Sequence, residues 1–176
     1  MLASVAGDVP VIVLEPACAS AFKDELPNLF PGRPDAERLS KRAIAFGDFV
    51  AEHFDRFPMA RDGGRALVQA HCHHHAILGF EAEMKLIGRL GLEAERSPQG
   101  CCGMAGAFGF AEESRELALA IGERSLLPDV RKAEPDRIIL ADGFSCREQI
   151  EQGSGRETLH IAELLAQRML GEKTSS

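Results

Sequence analysis

Ala66-Leu67-Val68-Gln69-Ala70-His71-Cys72 is a short apolar run that passes directly into a cysteine. Bounded on its N-terminal side by the turn signal Asp62-Gly63-Gly64, it reads as a buried strand. The period then changes. Ile77, Phe80, Met84 and Ile87 recur at steps of three and four, which predicts a helix over 75–90 with these residues inward, closed by Gly91 as a C-cap. Strand, cysteine-bearing loop and helix form one unit.

The unit recurs on both sides. Val11-Ile12-Val13-Leu14 leads through Glu15-Pro16-Ala17 to Cys18, with a short helix expected over 19–26. Arg137-Ile138-Ile139-Leu140 leads through Ala141-Asp142-Gly143-Phe144-Ser145 to Cys146, with a short helix over 146–152. The two stretches are a faint internal echo of one another. Leu92 to Glu95 is a third candidate strand, and the Cys101-Cys102 loop follows it. Helices are expected over 35–54 (Leu39, Ala43, Phe46, Val50 and Phe54 on one face), over 111–126 with Pro128 as its stop, and over 159–170 with Ile161, Leu164, Leu165 and Met169 inward. Pro27, Pro31, Gly32 and Pro34 mark a loop. Strands alternating with helices predict a Rossmann-like layered α/β domain, with a mainly parallel sheet and helices on both faces. Such sheets bind ligands beyond the carboxyl ends of their strands, where Cys18, Cys72 and Cys146 are expected. One domain is expected over 1–170, with a frayed tail over 171–176.

The 176 residues suit a single domain, and 45% hydrophobic content is enough for a core. A formal net charge of −7 argues against nucleic acid or an anionic membrane as partner, and the absence of Trp and Tyr removes base-stacking platforms. Residues 9–14 are apolar but too few to span a bilayer, and no Lys or Arg precedes Lys23, so neither a transmembrane segment nor a signal peptide is expected. The five cysteines are odd in number and contain no C-x-x-C pair, which argues against a disulfide scaffold, a zinc ribbon or a ferredoxin and points to a reducing cytosol.

The chemistry concentrates in Gly100-Cys101-Cys102-Gly103-Met104-Ala105-Gly106-Ala107-Phe108-Gly109. Adjacent cysteines rarely bridge each other, and glycines beside them let the backbone approach whatever the sulfurs hold. Soft thiolates suit zinc or an iron–sulfur cluster; a cluster accommodates neighbouring cysteines, whereas a single zinc ion is crowded by them. Cys72 and Cys146 are the expected partners of the pair, and a helix starting near Phe110 is expected to aim its amides at the anionic site. Cys18 is a further candidate, balanced by the reading of a buried thiol as a small hydrophobe. Of His71, His73, His74 and His75, one or two can face Cys72, with His73 the candidate ligand, and the others read as solvated helix-start residues. His160 reads as a structural residue opening the last helix. Gly103-x-x-Gly106-x-x-Gly109 lacks the spacing of a nucleotide loop, and no paired acid/base arrangement stands out. An electron-transfer cluster, a structural zinc module and a metal-free thiol redox site all remain open on these residues.

Glu15-Pro16-Ala17-Cys18, His71-Cys72-His73, Cys101-Cys102-Gly103-Met104-Ala105-Gly106-Ala107-Phe108-Gly109 and Asp142-Gly143-Phe144-Ser145-Cys146-Arg147-Glu148-Gln149-Ile150 together resemble the cysteine-rich CCG domain, over roughly residues 11–166. That domain occurs in heterodisulfide reductase, in iron–sulfur subunits of glycolate, lactate and glycerol-3-phosphate oxidising complexes, and at the C-terminus of long FAD-linked oxidases, the last being most similar. The family pattern has two repeats of Cys…Cys-Cys-Gly…Cys-x-x-Cys. Here the second is present as Cys72, Cys101, Cys102 and Cys146, and the first survives as Cys18; Gly143 and Glu15 stand where each closing pair has its first cysteine. The resemblance therefore implies a four-cysteine site holding a 4Fe-4S type cluster rather than a five-cysteine noncubane one. It implies a C-terminal fragment of an FAD-dependent 2-hydroxy-acid dehydrogenase, not catalytic alone. FAD would lie only in the missing upstream part, and FAD-binding and ferredoxin-like domains of the parent would be the partners. The location would be cytoplasmic, or peripheral to the inner membrane through partners. A zinc module docking on the flavin domain is the alternative.

Overall fold

In a computed structural model of the chain, which describes residues 7–98 and 100–171, the first strand β1 (Val11–Val13) pairs in parallel with β2 (Ala43–Ala45). Between them lie α1 (Pro16–Ser20), a π-helical turn (Ala21–Glu25), α2 (Leu26–Leu29) and α3 (Pro34–Arg42). After β2 come α4 (Phe46–Glu52), β3 (Arg65–Gln69), a π-helical turn (His74–Leu78), α5 (Glu81–Arg89) and β4 (Glu93–Arg96). The chain continues through α6 (Arg115–Gly122), α7 (Leu126–Lys132), β5 (Ile138–Ala141), α8 (Phe144–Ser154) and α9 (Ile161–Leu170). The second sheet has the order β4-β3-β5, with Ala66 opposite both Ala94 and Ile138. Every paired strand described runs parallel, as the alternation of strands and helices predicts, but hydrogen bonding divides the strands into two sheets rather than one.

Strands β3 and β5 are buried on both faces, their alternating residues entering two cores, whereas edge strand β4 alternates exposed and half-buried residues. Ala66 and Val68 of β3 and Leu140 of β5 face a core built with Val50, Phe54, Phe80, Leu86, Ile87, Leu90, Ile161, Leu164 and Leu165, that is, with α4, α5 and α9. Leu67, Ile139 and Ala141 face the opposite core, with Leu126 and Val130 of α7, Ile150 of α8, and Cys102, Met104 and Cys146. Helices thus cover both faces, and two of the cysteines are part of the second core.

Several elements depart from the sequence pattern. The helix expected over 35–54 is interrupted by β2, because Ala43-Ile44-Ala45 pairs with Val11-Ile12-Val13, a partner far away in sequence. Its apolar stripe survives the break: Ala43, Val50 and Phe54 are buried. The helix expected over 75–90 breaks at Gly79, whose φ of 83° no helix accommodates, and Ile77 is consequently exposed rather than inward. Pro128 does not stop a helix but sits in the first turn of α7, where its missing N–H has no helical partner to lose. Pro27 likewise lies within α2, inside the stretch expected as a loop. On α9 Met169 faces out, and its neighbour Arg168 is buried instead, bonded to Asp62 at 2.9 Å. Apart from Gly171, the tail expected over 171–176 lies outside the described residues.

Candidate metal centre

The three strands of the larger sheet deliver their following loops to one end. Cys72 follows β3, Cys101 and Cys102 follow β4, and Cys146 follows β5. Cys72 and Cys101 are exposed; Cys102 and Cys146 are 6% and 1% exposed and close off the back of the group. Cys72 and Cys101 bound an open pocket of about 260 Å³, with His75, Arg96 and Ser97 on its walls.

The thiols of Cys72, Cys102 and Cys146 are shifted from their ordinary values. Cys102 and Cys146 share the second core, placed for a hydrogen bond from the Cys146 thiol to Cys102. That bond is the main reason the Cys102 thiol is pulled down to about 7; the amides of Met104, Cys102 and Ala105 assist and burial opposes. The same bond, then burial, then the negative charges of Cys102, Cys72 and Glu15 push the Cys146 thiol well up. Partial burial pushes the Cys72 thiol up, with the charges of Cys101 and Cys102 adding to the effect.

The amides that favour thiolate here come from the loop itself, not from a helix start at Phe110 as the sequence suggests; residues Gly106–Phe110 form only a 3₁₀ turn. Gly103, Ala105 and Gly106 all have positive φ (93°, 43° and 65°), and Ala105 is the one non-glycine residue in that region among those described. In this turn the amides of Met104, Cys102 and Ala105 favour negative charge on the Cys102 sulfur. The Gly103 amide donates to Cys101 Sγ at 3.3 Å. Gly103 has a second reason to lack a side chain: a Cβ there would lie 2.0 Å from the Ala118 carbonyl oxygen of α6.

The echo between the two strand–loop–helix units is structural. Glu15 and Gly143 are the N-caps of α1 and α8, both extended (φ −83°, ψ 120° and φ −69°, ψ 125°), and Cys18 and Cys146 are the third residues of those helices. Glu15 reaches across to the other copy, where its Oε2 accepts the Phe144 amide at 2.9 Å. A side chain at Gly143 is excluded by His71, since a Cβ would lie 2.2 Å from His71 Cδ2. His71 is buried, its Nδ1 accepts the His73 amide at 3.3 Å, and burial holds its imidazole below the ordinary value against the pull of Glu15. Cys18 is exposed on α1, at the corresponding position of the first unit, and His73 is also exposed.

Two expectations about the histidines and acids change. His71 and His74 are buried, not solvated helix-start residues. A paired acid arrangement does exist: Glu83 and Asp142, 2% and 6% exposed, bring an oxygen each within 4.8 Å of one another beside His74. A signal for it was present, because Glu83 falls between Phe80 and Ile87 on the apolar side of its helix. His160 is structural as expected: it caps α9, accepting the Ala162 amide on Nδ1 at 2.9 Å while Glu163 accepts the His160 amide at 2.7 Å.

Comparison with known proteins gives the chain its relatives. It is 27% identical over 161 residues to D-2-hydroxyglutarate dehydrogenase of Pseudomonas putida, covering 90% of this chain and 15% of that protein. It is 29% identical over 160 residues to D-2-hydroxyglutarate dehydrogenase of Escherichia coli, covering 89% of this chain and 15% of that one. To one of the subunits of the anaerobic glycerol-3-phosphate dehydrogenase of E. coli it is 25% identical over 165 residues, 92% of this chain and 41% of that polypeptide. The chain is homologous to a segment of larger oxidoreductases and spans well under two thirds of each. No family model and no solved structure matches it. Among the described residues no helix is long and apolar enough to cross a membrane.

Proposed function

We propose that the chain is an iron–sulfur electron-transfer domain of an FAD-linked 2-hydroxy-acid dehydrogenase, with Cys72, Cys101, Cys102 and Cys146 as the thiolate ligands of a 4Fe-4S type cluster. The observation that carries this reading is that Cys72, Cys101, Cys102 and Cys146 all follow the three strands of one parallel sheet, at the same end of it. The donor set fits: thiolates are the protein ligands such clusters take, and adjacent cysteines can serve separate irons. A bound cluster would take up and release single electrons. The protein's part is to hold it. The Gly103 N–H to Cys101 Sγ and the amides around Cys102 stabilise negative charge on sulfur, which favours the reduced form, and the buried Cys102–Cys146 side keeps water away. Cys18 and His73 have no part in this ligand set. In this reading the domain belongs to the C-terminal part of its parent and receives electrons from a flavin domain upstream that oxidises the hydroxy acid; the names of the relatives support that assignment.

Anaerobic reconstitution with iron and sulfide tests the reading. The expected result is iron and acid-labile sulfide in equal amounts, broad visible absorption that bleaches with dithionite, and a paramagnetic signal on reduction. Protein that takes up no sulfide, or stoichiometric zinc on sulfur ligands that iron does not displace, would overturn it.

A further inference from the structure

Behind the cysteines, on the face of the sheet that packs against α4, α5 and α9, three ionisable side chains are buried together. His74 starts the turn after β3, Glu83 lies on α5 and Asp142 follows β5 directly. They are 1%, 2% and 6% exposed, and one ligand atom from each lies within 4.8 Å of the others. Both ring nitrogens of His74 and Oε2 of Glu83 are buried with no hydrogen-bond partner among the described residues. His74 Nδ1 is 3.8 Å from Glu83 Oε2, too far for a hydrogen bond. The imidazole is held edge-on to Phe80 with ring centroids 4.8 Å apart. Asp142 Oδ1 accepts the Ile161 amide at 2.8 Å and lies 3.8 Å from His160 Nδ1, which orients the carboxylate. Gly47 of α4 leaves the space open, since a Cβ there would come within 2.7 Å of Glu83 Oε2.

Buried polar atoms are almost always partnered, and buried like charges are tolerated when they coordinate a cation. One imidazole and two carboxylates carry two negative charges when ionised, and these are matched by a divalent ion. Bonds of about 2.0–2.1 Å to a tetrahedral ion separate its ligand atoms by roughly 3.3 Å, so a small inward movement closes the triad on a metal. We propose that His74, Glu83 and Asp142 form a buried structural site for a divalent transition metal of zinc-like preference, distinct from the cysteine site. A fourth donor would be water. Such an ion would clamp together the loops after β3 and β5, which also carry Cys72 and Cys146.

The test is zinc binding to the full chain, read by X-ray absorption and by the thermal transition. One tightly held zinc with a nitrogen/oxygen shell at about 2.0–2.1 Å and no sulfur shell near ~2.3 Å is the expected result. Zinc should raise the melting temperature equally in wild type and in a Cys72→Ser/Cys101→Ser variant, both exposed positions. Glu83→Gln should weaken zinc binding at least about tenfold and abolish the thermal shift. Zinc found only on sulfur, or no retained zinc at all, would overturn the proposal, as would a thermal shift unchanged in Glu83→Gln. The absorption measurement on wild type needs no variant to fold. Iron and sulfide uptake is a separate readout, so failure of the cluster assignment and failure of this site are distinguishable.

Discussion

Glu15 Oε2 accepts the amide of Phe144, a residue 129 positions further along the chain, at 2.9 Å. Through this bond the carboxylate that caps the first strand–loop–helix unit also caps the second. It fastens the two-stranded sheet to the end of the three-stranded one, beside Cys146. Glu15→Ala removes one cap bond and leaves the Phe144 N–H bare, at a cost of about 1 kcal/mol. Glu15→Gln retains an acceptor and loses less. Urea denaturation of both variants checks the order; equal stability of Glu15→Ala and wild type would show that the bond does not hold in solution.

The space a cysteine would need at position 143 is taken by the His71 ring. Gly143→Cys is therefore expected to destabilise the domain by about 1–3 kcal/mol and to add no ligand. His71→Ala/Gly143→Cys should recover part of that loss. A double-mutant cycle on denaturation midpoints measures the coupling, and additive effects would exclude the contact.

Gly103→Ala combines a φ of 93° with a Cβ aimed at the Ala118 carbonyl oxygen. The expected cost is at least about 2 kcal/mol. Because the loop carries the Cys101 and Cys102 sulfurs, iron and sulfide content after reconstitution should fall with it. A variant with wild-type melting temperature and full iron would contradict this account of the loop.

Cys102→Ser and Cys146→Ser should each reduce bound iron and sulfide to a small residue of the wild-type amount, whereas Cys18→Ser and His73→Ala should leave it unchanged. Iron and sulfide analysis of the four proteins prepared side by side decides it. Loss on Cys18→Ser would move the ligand set towards the first unit.

His74 predicts a pH dependence. Burial, with the nearby His71 and Arg96 adding, lowers its imidazole to about 4 from 6.5. A histidine depressed in the folded state contributes stability that is present above 6.5 and lost as the pH falls towards 4, because the unfolded chain takes up the proton first. In protein treated with a chelator, His74→Gln should therefore gain on wild type as the pH drops through this window, by on the order of 2 kcal/mol at the acid end. Denaturation curves at several pH values measure the difference, and a constant gap would rule out a neutral buried His74.

Strands β3 and β5 were legible because each is a short apolar run closed by turn residues and followed by a change of period; β4 (Glu93–Arg96) carries no such run and showed only as the short stretch before the cysteine pair. Placing Cys72 and Cys146 after such strands is what made them the expected partners of the Cys101-Cys102 pair. Ala43–Ala45 was not legible. Its residues fit the helical stripe around them, and only pairing with Val11–Val13, which lies outside any local window, makes them a strand. The same limit hid His71 and Glu15, whose roles depend on contacts with Gly143 and Phe144 across the fold. Glu83 and Asp142 are a different case. A charged residue on the apolar side of a helix and an acid directly after a strand were each visible, but neither says that the two meet.

Two sulfurs at the surface and two in the core give the cysteine group a front and a back. Reagents arriving from solvent meet Cys72 and Cys101 first, so oxidants and alkylating agents should modify the four thiols in a fixed order. Cys102 and Cys146, already in contact with each other, are the last to be reached. Modification at the front therefore leaves the two inner thiols untouched within the folded core.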